Sequence, residues 1–178
     1  MIRLTRLLDR PPTAQEAARA TRLRLTFDER VKSRLAAMSI AGEAVAILLP
    51  RGSVMRGGAV LAGDDDALAI VEAAPQAVTR VTADSPLVLL RAVYHLANRH
   101  VPAQLAHDHV LIERDPVLEA MLAAVGARAE HIDAPFDPEG GAYREHHGHS
   151  HRDEADEVSS TLGEQLSIAA HQAQGRGR

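Results

Sequence analysis

The chain contains no cysteine and no tryptophan, and its aromatic residues number four: Phe27, Tyr94, Phe136 and Tyr143. Without thiols there is no disulfide, no thiolate metal site and no cysteine nucleophile. So few rings leave no stacking platform for single-stranded nucleic acid. No apolar run reaches the roughly 18 residues of a membrane span; the longest, Ala44 to Leu49, has the length of a strand. Nor does one sign of charge dominate: 20 Lys+Arg against 24 Asp+Glu give a net charge of −4, which excludes a nucleic-acid partner on charge grounds. Met1-Ile2-Arg3-Leu4-Thr5-Arg6 places charges where a secretion signal has its apolar stretch. A cytoplasmic protein without membrane contacts is the expectation. The chain also lacks a P-loop, Gly-x-Gly-x-x-Gly, His-Glu-x-x-His and Gly-x-Ser-x-Gly. Its carboxylates are not paired in an acid–base context, so no enzyme is expected.

Histidine is what the chain has in excess. Four of its ten histidines fall in His146-His147-Gly148-His149-Ser150-His151. In an extended chain alternate side chains share a side, so His147, His149 and His151 project together toward one ion. Neutral imidazole suits Ni(II), Cu(II) and Zn(II). The competing reading is a solvated polar tail that binds metal incidentally.

The 178 residues, 46% of them hydrophobic, suffice for two small domains and a tail. Residues 1–75 read as β: Arg22–Thr26 alternates polar and apolar, Glu43–Leu49 and Ala67–Glu72 are apolar runs, and Gly and Asp punctuate them. A small sandwich or barrel is expected there, available for partner binding. Asp64–Asp66 reads as a solvated turn, since it lacks the spacing of a calcium loop. Arg51–Gly58 is glycine-rich, but no helix follows to receive a phosphate. It reads as a loop with an exposed basic edge.

Residues 76–143 alternate strand and helix. Ala77–Thr82 is a strand, and Ser85-Pro86 pairs an N-cap with proline at the first helical position. Leu87, Leu90, Val93/Tyr94 and Ala97 then recur at helical spacing, with Arg91, His95 and Asn98 on the polar side. Leu105–Ile112 is extended around His107-Asp108. Asp115-Pro116 repeats the cap, Gly126 ends the second helix, and Ala127–Ile132 is the last strand. The order β-α-β-β-α-β is that of a ferredoxin-like domain, giving an α+β protein. Gln76 marks the expected hinge. Residues 144–178 form the His-rich tail, with a marginal helix at Val158–His171 and a disordered end.

Outside the tail, His100 ends the first helix of this second part, where a histidine can simply satisfy terminal carbonyls. His107 and His109, two apart, can face one way on a strand as a weak bidentate site. His95, His131 and His171 carry no assignment.

Taken in order, several segments resemble the UreE family of urease accessory nickel chaperones. They are Leu49-Pro50-Arg51-Gly52, Arg56-Gly57-Gly58-Ala59-Val60-Leu61, Asn98-Arg99-His100-Val101-Pro102, Asp115–Leu122 and Pro135-Phe136-Asp137-Pro138-Glu139-Gly140-Gly141-Ala142-Tyr143, followed by the His-rich tail. The resemblance implies a β-rich N-terminal domain and a ferredoxin-like domain that forms a homodimer. It matches His100 to a metal-binding histidine shared between two subunits, completed by tail histidines such as His147, His149 and His151. It further implies Ni(II) as cargo, with urease assembly and an accessory GTPase as partners. Zn(II) and Cu(II) are expected to compete in vitro, because affinity for imidazole-rich sites peaks at copper. The family's usual Gly at the position of Ala97 and Leu at Ala103 are absent, and Glu113-Arg114-Asp115-Pro116 lacks the extra histidines some members carry. The alternative reading is a general divalent-metal buffer or sensor.

Overall fold

A computed structural model describes residues 1–64 and 66–140. Met1–Glu139 form one compact unit, built on two sheets in a strand-rich α+β arrangement.

The first sheet has six strands. In chain order they are β1 (Ile2–Leu8), β2 (Thr21–Leu25), β3 (Arg34–Met38), β4 (Ala44–Leu48), β5 (Val60–Gly63) and β6 (Leu68–Ala73). They lie in the order β2-β6-β5-β1-β4-β3. β1 runs parallel to β4 and antiparallel to β5, so the N-terminal residues sit in the middle of the sheet. Alternation explains the core: Leu4, Leu23, Val45, Ile47, Leu61 and Val71 are buried on one side, as a period of two requires. Gly63 is needed for contact between strands, since a Cβ there would lie 1.8 Å from the Arg3 carbonyl oxygen.

Two short helices interrupt this sheet, α1 (Ala14–Arg19) and α2 (Phe27–Arg30). Each starts with a capping box: Thr13 with Glu16, and Thr26 with Glu29. In each, the threonine hydroxyl accepts the N3 amide while the glutamate accepts the N-cap amide. Thr26 therefore ends β2 one residue earlier than the strand read from the sequence.

The second sheet contains β7 (Pro75–Thr82), β8 (Ala103–Leu105), β9 (Val110–Glu113) and β10 (Arg128–Pro135). Its order is β10-β7-β9-β8, with every neighbouring pair antiparallel. Helices α3 (Pro86–Ala97) and α4 (Pro116–Ala124) join β7 to β8 and β9 to β10. Val81, Ala92, Leu96, Val110, Ile112 and Leu122 form the core between helices and sheet. On the sheet's other face, Val78, Leu111 and the fully buried Phe136 form a smaller cluster.

Three local expectations need correction. Leu87, Leu90 and Tyr94 are not the buried face of α3; they are 56%, 66% and 64% exposed, and Ala92 and Leu96 point inward instead. The helix is apolar on two sides, and periodicity alone does not say which side meets the sheet. Ser85 makes no side-chain cap bond, whereas the Asp115 carboxylate accepts the amides of Val117 and Leu118 at 2.8 and 3.2 Å. Gln76 lies within β7, and its side chain accepts the Phe27 amide at 2.8 Å. A side chain with that bond and a backbone in a ladder is poorly suited to act as a hinge.

Candidate metal site

His100 follows α3 by three residues and is exposed. Its backbone has φ of 55°, one of two positive values among the described non-glycine residues. The Val101 amide donates to the Leu96 carbonyl at 3.2 Å and the His100 amide to the Ala97 carbonyl at 2.9 Å. That bond pair is a Schellman motif, and His100 fills the left-handed position that glycine usually takes. α4 ends in the same way, with Ala127 bonded to Leu122 and Gly126 to Ala123, and there Gly126 has φ of 90°. A Cβ in the left-handed region costs on the order of 1 kcal/mol. His100 is thus held in a conformation its residue type disfavours, with its imidazole projecting from a helix end.

His100 lies in a shallow depression lined also by Arg99, Val101, Pro102, Glu113, Arg114, Asp115 and Leu118. Burial and the charge of Asp28 raise the pKa of Glu113, against a hydrogen bond from Gln76. The exposed row Leu87, Leu90 and Tyr94 runs along α3 toward His100.

The remaining histidines are placed separately. His95 is partly buried on α3, edge-on to Tyr94 at 5.4 Å between ring centroids. His107 and His109 lie in the turn between β8 and β9 and not on a strand, where they were expected to face one way. His109 Nδ1 lies 2.6 Å from Asp108 Oδ1, and that bond lowers the Asp108 pKa. His131 Nε2 lies 2.9 Å from Glu119 Oε1, which also accepts the buried Thr79 hydroxyl at 2.6 Å. These bonds, the Thr79 one foremost, lower the Glu119 pKa. Among the described residues no three His, Cys, Asp or Glu side chains gather closely enough to hold an ion. His147, His149 and His151 lie outside the described residues, as do the expected Val158–His171 helix and the chain end. Asp64 and Asp66 flank the masked Asp65, and Asp66 has φ of 57°, as turn residues do.

A second polar centre escaped the sequence reading. Arg30 on α2 is fully buried. Its guanidinium donates to Asp137 Oδ1 at 2.7 Å, to the Met55 carbonyl at 3.2 Å and to the Phe136 carbonyl. Arg56 reaches the same Asp137 oxygen at 3.5 Å and donates to the Pro138 carbonyl, so it is not the free basic edge expected of its loop. Asp137 Oδ2 accepts the Gly57 amide at 2.9 Å. Burial raises the Asp137 pKa, but the Arg30 and Gly57 bonds with the charges of Arg30 and Arg56 outweigh it, and the net shift is down. In the sequence Arg30 stands among Asp28, Glu29 and Lys32, so nothing local marks it as buried; its acidic partner is 107 positions away.

Comparison with known proteins places both halves. Residues 4–74 match the family model described as UreE urease accessory protein, N-terminal domain, and residues 76–165 that of the C-terminal domain. The chain is 53% identical over 133 residues to the urease accessory protein UreE of Ralstonia nicotianae, covering 75% of this chain and 63% of that protein. It is 51% identical over 138 residues to its counterpart in Burkholderia lata, covering 78% and 67%, and 50% identical over 138 residues to that of Burkholderia vietnamiensis, covering 78% and 69%.

Proposed function

The chain belongs to the UreE family of urease accessory proteins, and on that premise we propose that it is a non-enzymatic metallochaperone carrying Ni(II) as cargo. His100 is the fixed ligand, and His147, His149 and His151 of the tail complete the coordination. The observation that carries this reading is His100 in a glycine position. A histidine kept there at a cost to the backbone is accounted for by what its imidazole does.

No other described side chain completes a site at His100, so further ligands have to come from the tail or from a second copy. Leu87, Leu90 and Tyr94 supply the surface for that copy. An isologous contact centred on the Tyr94 end of α3 brings two His100 residues together about the two-fold axis. Residues 76–143 form the ferredoxin-like, dimerising part of this reading, supported by the β10-β7-β9-β8 order. Residues 1–75 are left for partner contacts and residues 144–178 for the tail. A site built from imidazoles, without thiolates, suits a cargo that is held and then released. The recipients are the urease assembly complex and its accessory GTPase, in the cytoplasm. The second reading, a general divalent-metal buffer, rests on the histidine cluster alone.

The test is nickel dialysis with sedimentation on the wild type and His100→Asn, because asparagine tolerates a left-handed backbone and lacks an imidazole. The expected result is loss of one ion per dimer with tail binding retained. Unchanged stoichiometry would reduce the protein to a metal-buffering tail. Cu(II) should displace Ni(II) in the same assay.

A further inference from the structure

His100 is joined to the second sheet by a very short path. Only Val101 and Pro102 separate it from β8. Pro102 has a fixed φ and confines the backbone of Val101 to extended conformations, and Val101 packs against the core between helices and sheet. A tether of two such residues transmits the position of β8 to the left-handed His100. β8 itself is weakly built. It has three residues, lies at the edge of its sheet, and has β9 as its one strand partner among the described residues. An edge strand that short depends on what covers it.

The cover is the segment that follows β10. Phe136 packs on Val78 of β7 and Leu111 of β9. The Asp137 amide then donates to the Gln104 side chain of β8 at 2.7 Å, and the Glu139 amide to the Ala103 carbonyl at 2.8 Å. What holds this segment comes from the first half of the chain. Arg30 donates to the Phe136 carbonyl and to Asp137, Arg56 donates to the Pro138 carbonyl and to Asp137, and the Gly57 amide meets the Asp137 carboxylate. Phe27 stacks edge-on against Phe136, with centroids 5.5 Å apart. We infer that Arg30, Arg56 and Asp137 are positioning residues for His100: through residues 136–139 and β8, the first half of the chain fixes the loop that presents the imidazole. Their effect on metal rests on the proposed reading of His100 as a ligand, whereas their effect on the loop does not.

Amide hydrogen exchange in the full chain without metal tests the loop. Removing Asp137 alone strands the buried Arg30 charge and risks unfolding, so the variants are Arg30→Met combined with Asp137→Ala, Arg56→Ala, and Gln104→Ala. Arg56→Ala keeps the test open if the double variant does not fold. The reporter is Val101, whose amide bonds the Leu96 carbonyl, and the reference is Ala127, whose amide bonds the Leu122 carbonyl in the same motif at the end of α4. With one or two bonds to β8 lost, Val101 should exchange roughly tenfold faster while Ala127 keeps its wild-type rate. Unchanged exchange at Val101, or equal acceleration at both amides, overturns the positioning role. Nickel affinity of the same variants, measured by calorimetry, should fall severalfold, and should not fall further when His100→Asn is already present. Wild-type nickel binding by His100→Asn alone would sink the ligand reading and the metal consequence with it, and the exchange result would be untouched by that failure.

Discussion

The two halves of the molecule treat their apolar residues differently. The six-stranded first sheet encloses Leu4, Ile47 and Leu61 at 0% exposure. The second sheet buries Ala92 and Leu96 of α3 but leaves Leu87, Leu90 and Tyr94 of the same helix more than half exposed. The first core is closed by its own strands, whereas the second has an apolar surface that nothing among the described residues covers. The first half exposes large apolar side chains chiefly around β3, at Met38 and Ile40, whereas the second exposes a row along one helix, the surface proposed above for a second copy.

The largest effect that separates them is on stability. Leu61→Ala should cost about 2–5 kcal/mol, the usual range for emptying a closed core, at any protein concentration. Leu90→Asp should cost the monomer less than about 0.5 kcal/mol, as exposed substitutions do, yet abolish the dimer. Urea unfolding at several concentrations, beside sedimentation, tests both. The wild-type midpoint should rise with concentration and that of Leu90→Asp should not. A Leu90→Asp protein that stays dimeric removes α3 from the interface.

Acid should separate the halves next. Imidazole has an unperturbed pKa near 6.5 and coordinates only when neutral. Nickel should accordingly leave as pH falls through that range. The buried Arg30–Asp137 pair follows the opposite chemistry. The Asp137 pKa is depressed in the folded state, so its stabilisation is fully present above the unfolded carboxylate value of about 3.9 and is lost only as pH falls through the lower folded value. Between about pH 6 and pH 4 the protein should be metal-free with the Arg30–Asp137 pair still in place. The Gly57 amide, bonded to Asp137, reports this by NMR: its shift should move below pH 4. Movement near pH 6.5 instead would tie the Asp137 bonds to histidine titration and collapse the distinction.

Much of this architecture was legible in the chain. The β-α-β-β-α-β order followed from apolar runs, from Asp115-Pro116 and from Gly126, because these signals are local. The first half was harder to read. β1 carries Arg3 and Arg6 among its apolar residues, so Ile2-Arg3-Leu4-Thr5-Arg6 read only as an argument against a secretion signal. The boxes Thr13-x-x-Glu16 and Thr26-x-x-Glu29 precede helices of six and four residues, too short for any apolar period to accompany the cap. Ser85 and Asp115 looked equivalent before proline, and only the carboxylate caps. At the site, His100 was found through its motif, but its backbone conformation was not visible, since no residue pattern marks a histidine in a glycine position. Arg30 and Asp137 were invisible for a different reason. Their contact spans 107 positions, and pairing of that range depends on the tertiary fold.

The smallest expected effect compares the two helix ends within the second half. α3 and α4 close with the same bond pair, one on His100 at φ 55° and the other on Gly126 at φ 90°. If His100 served only to cap α3, replacing it would lower stability and leave metal binding alone. If it is kept for its imidazole, glycine relieves the left-handed strain, while its greater freedom in the unfolded chain offsets part of the gain. His100→Gly should therefore melt at the wild-type temperature or slightly above it, by up to about 1 kcal/mol, and should lose the shared nickel ion. Gly126→Ala is the control. Its added Cβ would sit 3.7 Å from Val88 Cγ1, an ordinary contact, so backbone strain alone should cost it about 1 kcal/mol. Thermal melts of both variants without metal, where a dimer bridge through nickel cannot contribute, decide the matter. A His100→Gly protein less stable than Gly126→Ala would mean that the His100 side chain supports the helix end after all.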